Sequence, residues 1–93
     1  MVIGFLSLDF HFPQSRSLKD KRKELAGIKD RLRQRYNVAV SELEFQDTWQ
    51  RTRIGIVALN SRPSVVEDLL GRIRSDVLEH VNGELLGSEI KFY

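Results

Sequence analysis

The sequence predicts an α+β domain of two layers, in which two helices cover one face of a four-stranded antiparallel sheet. Four short segments alternate apolar with polar residues, as strands do, and two longer segments carry apolar residues every three or four positions, as amphipathic helices do. Their order is strand, helix, strand, strand, helix, strand, which closes most simply into the ferredoxin-like arrangement. Right-handed crossovers then place the first and third strands at the centre of the sheet. We expect a single domain over residues 1–93.

The strands are predicted at Val2–Phe12, Val38–Phe45, Arg51–Leu59 and Leu85–Tyr93. In the first strand, Leu6, Leu8, Phe10 and Phe12 share one face, and Phe5, Ser7, Asp9 and His11 share the other. The third strand is apolar on both faces, which is typical of a central strand. Ile90 and Phe92 share a face of the last strand. Glu42 and Glu44 are expected on one face of the second strand, where charge discourages edge pairing; paired carboxylates for acid–base catalysis are the less favoured interpretation.

Both helices are predicted to begin at a serine. Ser17 is followed by Asp20, and Ser64 by Glu67, which resembles the capping box in which two side chains satisfy free backbone N–H groups. The apolar stripes are Leu25, Ile28, Leu32 and Tyr36 in the first helix, and Val66, Leu69, Leu70, Ile73, Val77 and Val81 in the second. We expect Asn37 to end the first helix, because Asn tolerates the left-handed conformation after a helix C-terminus.

The charge of the chain is distributed unevenly. Residues 16–36 carry nine Lys or Arg and three Asp or Glu, a net of +6, whereas the other residues carry six basic and ten acidic side chains, a net of −4. On a helical wheel, one flank beside the apolar stripe of the first helix contains Lys19, Arg22, Lys23, Lys29 and Arg33. Arg31 and Arg35 lie on the other side, near Asp20 and Glu24. This asymmetry favours an anionic partner.

The basic flank has two interpretations. It either follows successive phosphates of a nucleic acid without reading sequence, over roughly 20 Å of helix, or it is an ordinary solvated helix face. The helix macrodipole disfavours cations in the first turns, so local helix stability does not explain Lys19 and Lys23.

One face of the predicted sheet has no helix over it. Large exposed apolar patches are uncommon on soluble monomers, so this face is expected to meet a second copy, a base stack or an irregular segment of the chain. A protein interface there is predicted to use Phe5, Trp49 and Phe92. Trp49 lies in a polar turn region and either stacks on a base, enters a partner's pocket, or folds back over the sheet edge or core.

The sequence offers little for catalysis. It has no Cys, and its glycines form no phosphate-binding loop. Its two histidines lack the spacing of metal ligands, since the single pair of His80 with Asp76 is a weak signal. We therefore expect no enzymatic activity, no metal and no cofactor. The apolar N-terminal segment is too short to cross a bilayer and lacks the features of a secretory signal, so we expect a cytoplasmic protein with no membrane partner.

Three segments resemble the YlxP-like family of small bacterial proteins of unknown function: SLKDKR at residues 17–22, RYNVAVSELE at 35–44 and DTWQRTRIGIV at 47–57. The positions that carry the resemblance are Ser17, Leu18, Lys19, Lys21, Arg22, Glu42 and Trp49. The resemblance implies a ferredoxin-like fold. Because genes of this family commonly lie near genes of translation initiation and ribosome maturation, it also implies a role with RNA or the ribosome.

These observations lead to three functional hypotheses. The first is a non-catalytic module that binds RNA or a ribosomal particle, with phosphate contacts from Lys19, Arg22, Lys23, Lys29 and Arg33 and with Lys21 assisting at the start of the helix. The second is a homodimeric protein-interaction module that uses the open sheet face. The third, a small-ligand sensor, has only the fold in its support.

Overall fold

The elements occur in the predicted order. A computed structural model describes residues 1–93 as β1 (Val2–His11), α1 (Leu18–Arg35), β2 (Ala39–Glu44), β3 (Arg51–Asn60), α2 (Pro63–His80) and β4 (Glu84–Phe92). The strands form one antiparallel sheet in the order β2-β3-β1-β4, so β1 and β3 are central. The predicted ferredoxin-like fold is confirmed. Neither helix is apolar enough along its length to cross a membrane.

The core lies between the two helices and one face of the sheet. It consists of Leu6, Leu8, Phe10, Phe12, Leu25, Ile28, Leu32, Val40, Ile54, Ile56, Ala58, Val66, Leu70, Ile73 and Val77. This set includes the predicted inward face of β1 and all but one member of the predicted stripe of α1. Gly4 has no side chain where Val66 and Leu70 of α2 approach the sheet, and this absence allows α2 to pack close to β1.

The two helix starts differ from each other. Ser17 is the N-cap of α1, and its hydroxyl accepts a hydrogen bond of 3.1 Å from the backbone N–H of Asp20, as predicted. The prediction that Ser64 caps α2 is wrong, because α2 begins at Pro63 and its N-cap is Arg62, which makes no side-chain capping bond. Proline is favoured at the first helical position because its φ is already helical and its missing N–H needs no partner.

The end of α1 also differs from the prediction. Arg35 is its last residue and Tyr36 its C-cap, with an extended φ of −135°. Asn37 is not left-handed, since Phe45 is the only non-glycine residue with a positive φ. The chain leaves the helix through the extended Tyr36 and bends at Tyr36 and Asn37 before β2 begins at Ala39, so no left-handed residue ends the helix.

The two glutamates of β2 point to opposite faces of the sheet. Glu42 pairs with Ile54 on the helix-covered face, whereas Glu44 pairs with Arg53 on the open face, because the register shifts between them. Such an irregularity inserts one unpaired residue and inverts the alternation that follows it. The prediction that Glu42 and Glu44 share a face is therefore wrong.

Candidate nucleic-acid interface

Five cations of α1 form the feature that we call the cationic flank: Lys19, Arg22, Lys23, Lys29 and Arg33. Lys29 is half-buried and the other four are exposed. None of the five lies within 4.0 Å of a carboxylate, and Asp30, which interrupts the flank, forms no ion pair either. The flank cations are therefore not engaged in ion pairs within the molecule.

The flank borders a groove between α1 and the edge strand β2. The groove encloses about 430 Å³, and Arg22, Lys29 and Arg33 line its helix side. Arg33 donates a hydrogen bond of 3.2 Å to the carbonyl oxygen of Val40, which holds its guanidinium over β2. The groove also contains carboxylates, since Asp30, Glu42 and Asp47 line it. Positive charge thus follows the helix, and negative charge lies mainly on the opposite wall.

The remaining cations of α1 face inward or toward α2. Arg31 Nε lies 2.6 Å from Asp76 Oδ1, and the carboxylate also accepts a bond of 2.8 Å from the hydroxyl of Tyr36. Arg35 is 3.9 Å from the same carboxylate. Burial by itself raises the pKa of Asp76, but hydrogen bonds from Arg31 and Tyr36 outweigh it, so the pKa lies below its ordinary value. These groups connect the helices, so among the cations of α1 only those of the flank have no carboxylate partner.

Lys21 does not belong to the interface, and its prediction as a phosphate contact is wrong. Its side chain is fully buried, and its ammonium lies 3.0 Å from Glu42 Oε2. It also donates to three carbonyl oxygens, those of Phe45 at 2.5 Å, Gln46 at 3.3 Å and Arg51 at 3.3 Å. On the helical wheel Lys21 lies about 30° from the centre of the apolar stripe, so its position predicts burial. The partners are distant in sequence and carry no such signal.

Lys21 fixes the connection between β2 and β3, residues 45–50, which we call the Trp49 loop. Phe45 begins the loop with a φ of 68°, a left-handed conformation that is unfavourable for a bulky residue. The carbonyl of Phe45 accepts from Lys21 and from the N–H of Thr48. At the other end, the amide of Gln50 donates to the carbonyls of Pro13 and Ser15. The loop is therefore held at both ends.

Trp49 projects from this loop with 53% of its surface exposed. It lines a shallow concavity of about 320 Å³ together with Asp47, Thr48 and Gln50. The interpretation that Trp49 folds back over the core is therefore wrong: the residue stays at the surface.

The structure does not bring together Phe5, Trp49 and Phe92, the predicted protein-interface residues. Phe5 pairs with Val57 on the open face. Phe92 pairs with Gly4, and its ring lies beside Val66 and Leu70 at the edge of the helix-covered face. Residues that pair directly across two strands share a face, so Phe92 is on the opposite side of the sheet from Phe5. Trp49 lies at the other end of the sheet, because Phe12 bonds to Gln50 there.

The open face is mixed in character. Exposed Val57 and Leu59 make one end apolar. Elsewhere Arg53 binds both oxygens of Asp9, at 2.8 and 3.1 Å, and lies 2.8 Å from Glu44. Hydrogen bonding to Asp9 raises the pKa of Arg53 above its ordinary value despite some desolvation, so this guanidinium stays charged. The sequence did not predict this ion-pair cluster, which interrupts the apolar surface.

The comparisons with known proteins bear on family and fold. A family model described as "Protein of unknown function (DUF503)" matches residues 3–90. The "Uncharacterized protein YlxP" of Bacillus subtilis (strain 168) is 40% identical over 72 residues, which make up 77% of this chain and 78% of that protein.

Two solved structures resemble the fold. The "De novo designed protein Ferredog-Diesel" has a TM-score of 0.54 at 16% identity and covers 96% of this chain and 83% of its own. "LarC2, the C-terminal domain of a cyclometallase involved in the synthesis of the NPN cofactor of lactate racemase, apo form" has a TM-score of 0.56 at 12% identity. That match covers 100% of this chain and 55% of the other. At these identities the two structures show the fold alone. The family match and the YlxP relative agree with the resemblance carried by the SLKDKR segment, and the chain belongs to the DUF503 family of proteins of unknown function.

Proposed function

We propose that this protein is a non-catalytic, cytoplasmic RNA-binding module that associates with ribosomal RNA or a ribosomal particle through its cationic flank. The supporting observation is the division of cations within α1. Lys21, Arg31 and Arg35 are paired with carboxylates inside the molecule, whereas the five flank cations have no carboxylate partner. Structural pairing therefore does not account for the flank, and an external polyanion does.

The geometry of the flank suits a phosphate backbone. From Lys19 to Arg33 the helix rises roughly 20 Å, which spans several successive phosphates. Lys19 lies in the first turn of α1, where the macrodipole disfavours a cation, and Arg22 and Lys23 follow in the second turn, where the macrodipole has little effect. Helix stability therefore does not explain these cations, which supports a role in binding. Phosphate contacts position a nucleic acid without reading its sequence, so we expect broad RNA recognition from the flank alone.

Salt dependence of binding tests the proposal. We expect the protein to bind fragments of ribosomal RNA at low salt, with a slope of log affinity against log salt of about −3.5, from the five flank cations at about −0.7 each. The double variant Arg22→Glu/Lys23→Glu leaves three of these contacts, so the slope should change to about −2.1 and binding should weaken. The matched control is Arg62→Glu/Arg72→Glu, which reverses two exposed cations outside α1 and should bind like the wild type.

Two results would contradict the proposal. One is the absence of binding to ribosomal RNA and ribosomal subunits at low salt. The other is an equal loss of binding in both double variants, which would mean that total charge matters and the flank does not.

Self-association through the open sheet face has weaker support. Phe5 with Val57, and Ile3 with Leu59, form two adjacent apolar pairs across β1 and β3. The cluster around Arg53 lies on the same face beyond the Ser7–Gly55 pair, and its burial against a second copy would require desolvation of charged groups. At the flank, by contrast, each cation that gives up hydration gains a phosphate of opposite charge as its partner.

A further inference from the structure

We infer that the Trp49 loop is a base-stacking platform beside the cationic flank, so that the preferred ligand is single-stranded RNA and not an RNA duplex. The inference rests on the proposed function and specifies its ligand. It starts from the position of Trp49, which the phosphate-binding proposal leaves without a role.

The first argument is exposure. Trp49 is the only tryptophan of the chain, and 53% of its surface is in contact with solvent. Stacking of another flat ring on a large exposed aromatic ring is energetically favourable. Bases stack on such rings with little regard to sequence.

The second argument is continuity with the flank. Asp47 lines both the groove beneath Arg22, Lys29 and Arg33 and the concavity that contains Trp49. The groove and the concavity therefore meet at Asp47, which places the Trp49 loop within reach of a strand whose phosphates follow α1.

The third argument concerns the direction of the bases. Asp47 forms no ion pair, and a free carboxylate repels phosphate but accepts hydrogen bonds from the amino groups of bases. With phosphates along α1 and bases toward Asp47 and Trp49, the cations of the helix wall face phosphates and Asp47 faces bases, and Asp30 is the one carboxylate on the phosphate side. In a duplex, each base is already stacked and paired, so neither its flat face nor its edge is available in this way.

The fourth argument is rigidity. The buried ammonium of Lys21 holds the carbonyls of Phe45 and Gln46, and Gln50 bonds back to the segment before α1. The loop thus starts in a left-handed conformation at Phe45 that the surrounding contacts maintain. A platform fixed before binding loses less conformational entropy when a base stacks on it.

Intrinsic fluorescence tests the inference directly, because Trp49 is the only tryptophan. The probes are oligoadenylate of about 12 nucleotides, the same strand paired with oligouridylate, and inorganic polyphosphate, which has charge but no bases. We expect single-stranded oligoadenylate to quench the emission, and the other two to bind by charge with little quenching. Trp49→Ala should lose roughly 5- to 150-fold in single-strand affinity, the equivalent of one stacked base, with duplex affinity little changed. Trp49→Phe, which keeps an aromatic ring, should restore part of the loss.

The outcomes separate this inference from the proposed function. If single strands bind with the expected salt slope but without quenching, and Trp49→Ala binds equally well, the stacking platform is excluded and the phosphate-binding flank stands. Equal quenching by duplex would also overturn the preference for single strands. If Trp49→Ala retains RNA binding but loses binding to a ribosomal protein, Trp49 belongs to a protein interface instead. If no RNA binds at low salt, the proposed function and the inference both fail.

Discussion

Lys19 and Lys21 are two positions apart in the same helix, yet their ammonium groups lie in opposite environments. Lys19 is exposed, whereas Lys21 is fully buried and binds Glu42 and backbone carbonyls of the Trp49 loop. Thr52 donates a further bond of 2.6 Å to the same glutamate. A buried ammonium is tolerated only when such partners replace its hydration. Lys21 therefore stabilises the fold, and the charge that it adds to the basic segment is not available at the surface.

We expect Lys21→Met to lower the free energy of unfolding by about 2–4 kcal/mol, because it leaves buried carbonyls and Glu42 without their shared donor. Lys19→Met removes an exposed ammonium and should change stability by less than about 0.5 kcal/mol. Urea denaturation of both variants measures the difference. Equal midpoints for the two variants would show that the buried network contributes no net stability.

The two helices of the molecule start in different ways. In the first turn of α1 the Ser17 hydroxyl accepts from the N–H of Asp20, and the Asp20 carboxylate reaches back to accept a bond of 3.0 Å from the N–H of Arg16, which precedes the cap. The first turn of α2 has no side-chain cap, and Pro63 instead provides a preset helical φ and removes one N–H. The pattern of a serine with an acidic residue three positions later marks the N-cap of α1. The same pattern in α2 does not, because Pro63 precedes the serine and starts the helix.

This difference predicts unequal effects for two serine variants. Ser17→Ala should lower the free energy of unfolding by about 1 kcal/mol, the usual cost of losing an N-cap side chain. Ser64→Ala should change it by less than about 0.5 kcal/mol, since Ser64 lies inside α2 and is exposed. Thermal or urea unfolding of the pair provides the measurement, and a larger loss for Ser64→Ala would contradict the assignment of the caps.

The elements and the flank could be predicted because their signals are local and periodic. The apolar alternation of β1 and the apolar stripe of α1 predict which faces are buried. The helical wheel of α1 also places the flank cations on one side of the helix. The register shift in β2 could not be predicted, since one extra residue opposite Arg53 leaves no periodic signature and moves Glu44 to the other face. The partners of Lys21 and the exposure of Trp49 depend on contacts between segments far apart in the sequence, which periodicity does not describe.

At the scale of the whole molecule, Asp76 on α2 connects the two helices. It accepts from Arg31 and Tyr36 and lies beside His80, so one carboxylate joins the end of α1 to the end of α2. This cluster keeps Arg31 and Arg35 turned away from the flank. Asp76 is therefore the partner of the cations on one side of α1, whereas the flank cations on the other side have no carboxylate partner.

The same cluster predicts how stability depends on pH. Because the pKa of Asp76 in the folded protein lies below its ordinary value, the unfolded chain takes up a proton first as the pH falls. The stability that Asp76 contributes is complete above about pH 5 and is lost as the pH falls through the ordinary value, about 3.9, toward the folded value. Tyr36 affects stability at alkaline pH. Its hydrogen bond to Asp76 and its burial raise its pKa above the ordinary value of 10.0, so the stability that Tyr36 contributes is lost as the pH rises above 10.0 through the folded pKa.

Urea denaturation between pH 3 and pH 7 tests the acid limb of this prediction. Asp76→Asn should lower stability at neutral pH by about 2 kcal/mol, because an amide replaces the charged acceptor of Arg31. It should also flatten the decline toward pH 3, since the titrating carboxyl is gone. The matched control is Asp68→Asn, which changes an exposed carboxylate on the same helix that forms no ion pair, and its pH profile should follow the wild type. An equally steep decline in Asp76→Asn would contradict the prediction, because the acid sensitivity would then not come from Asp76.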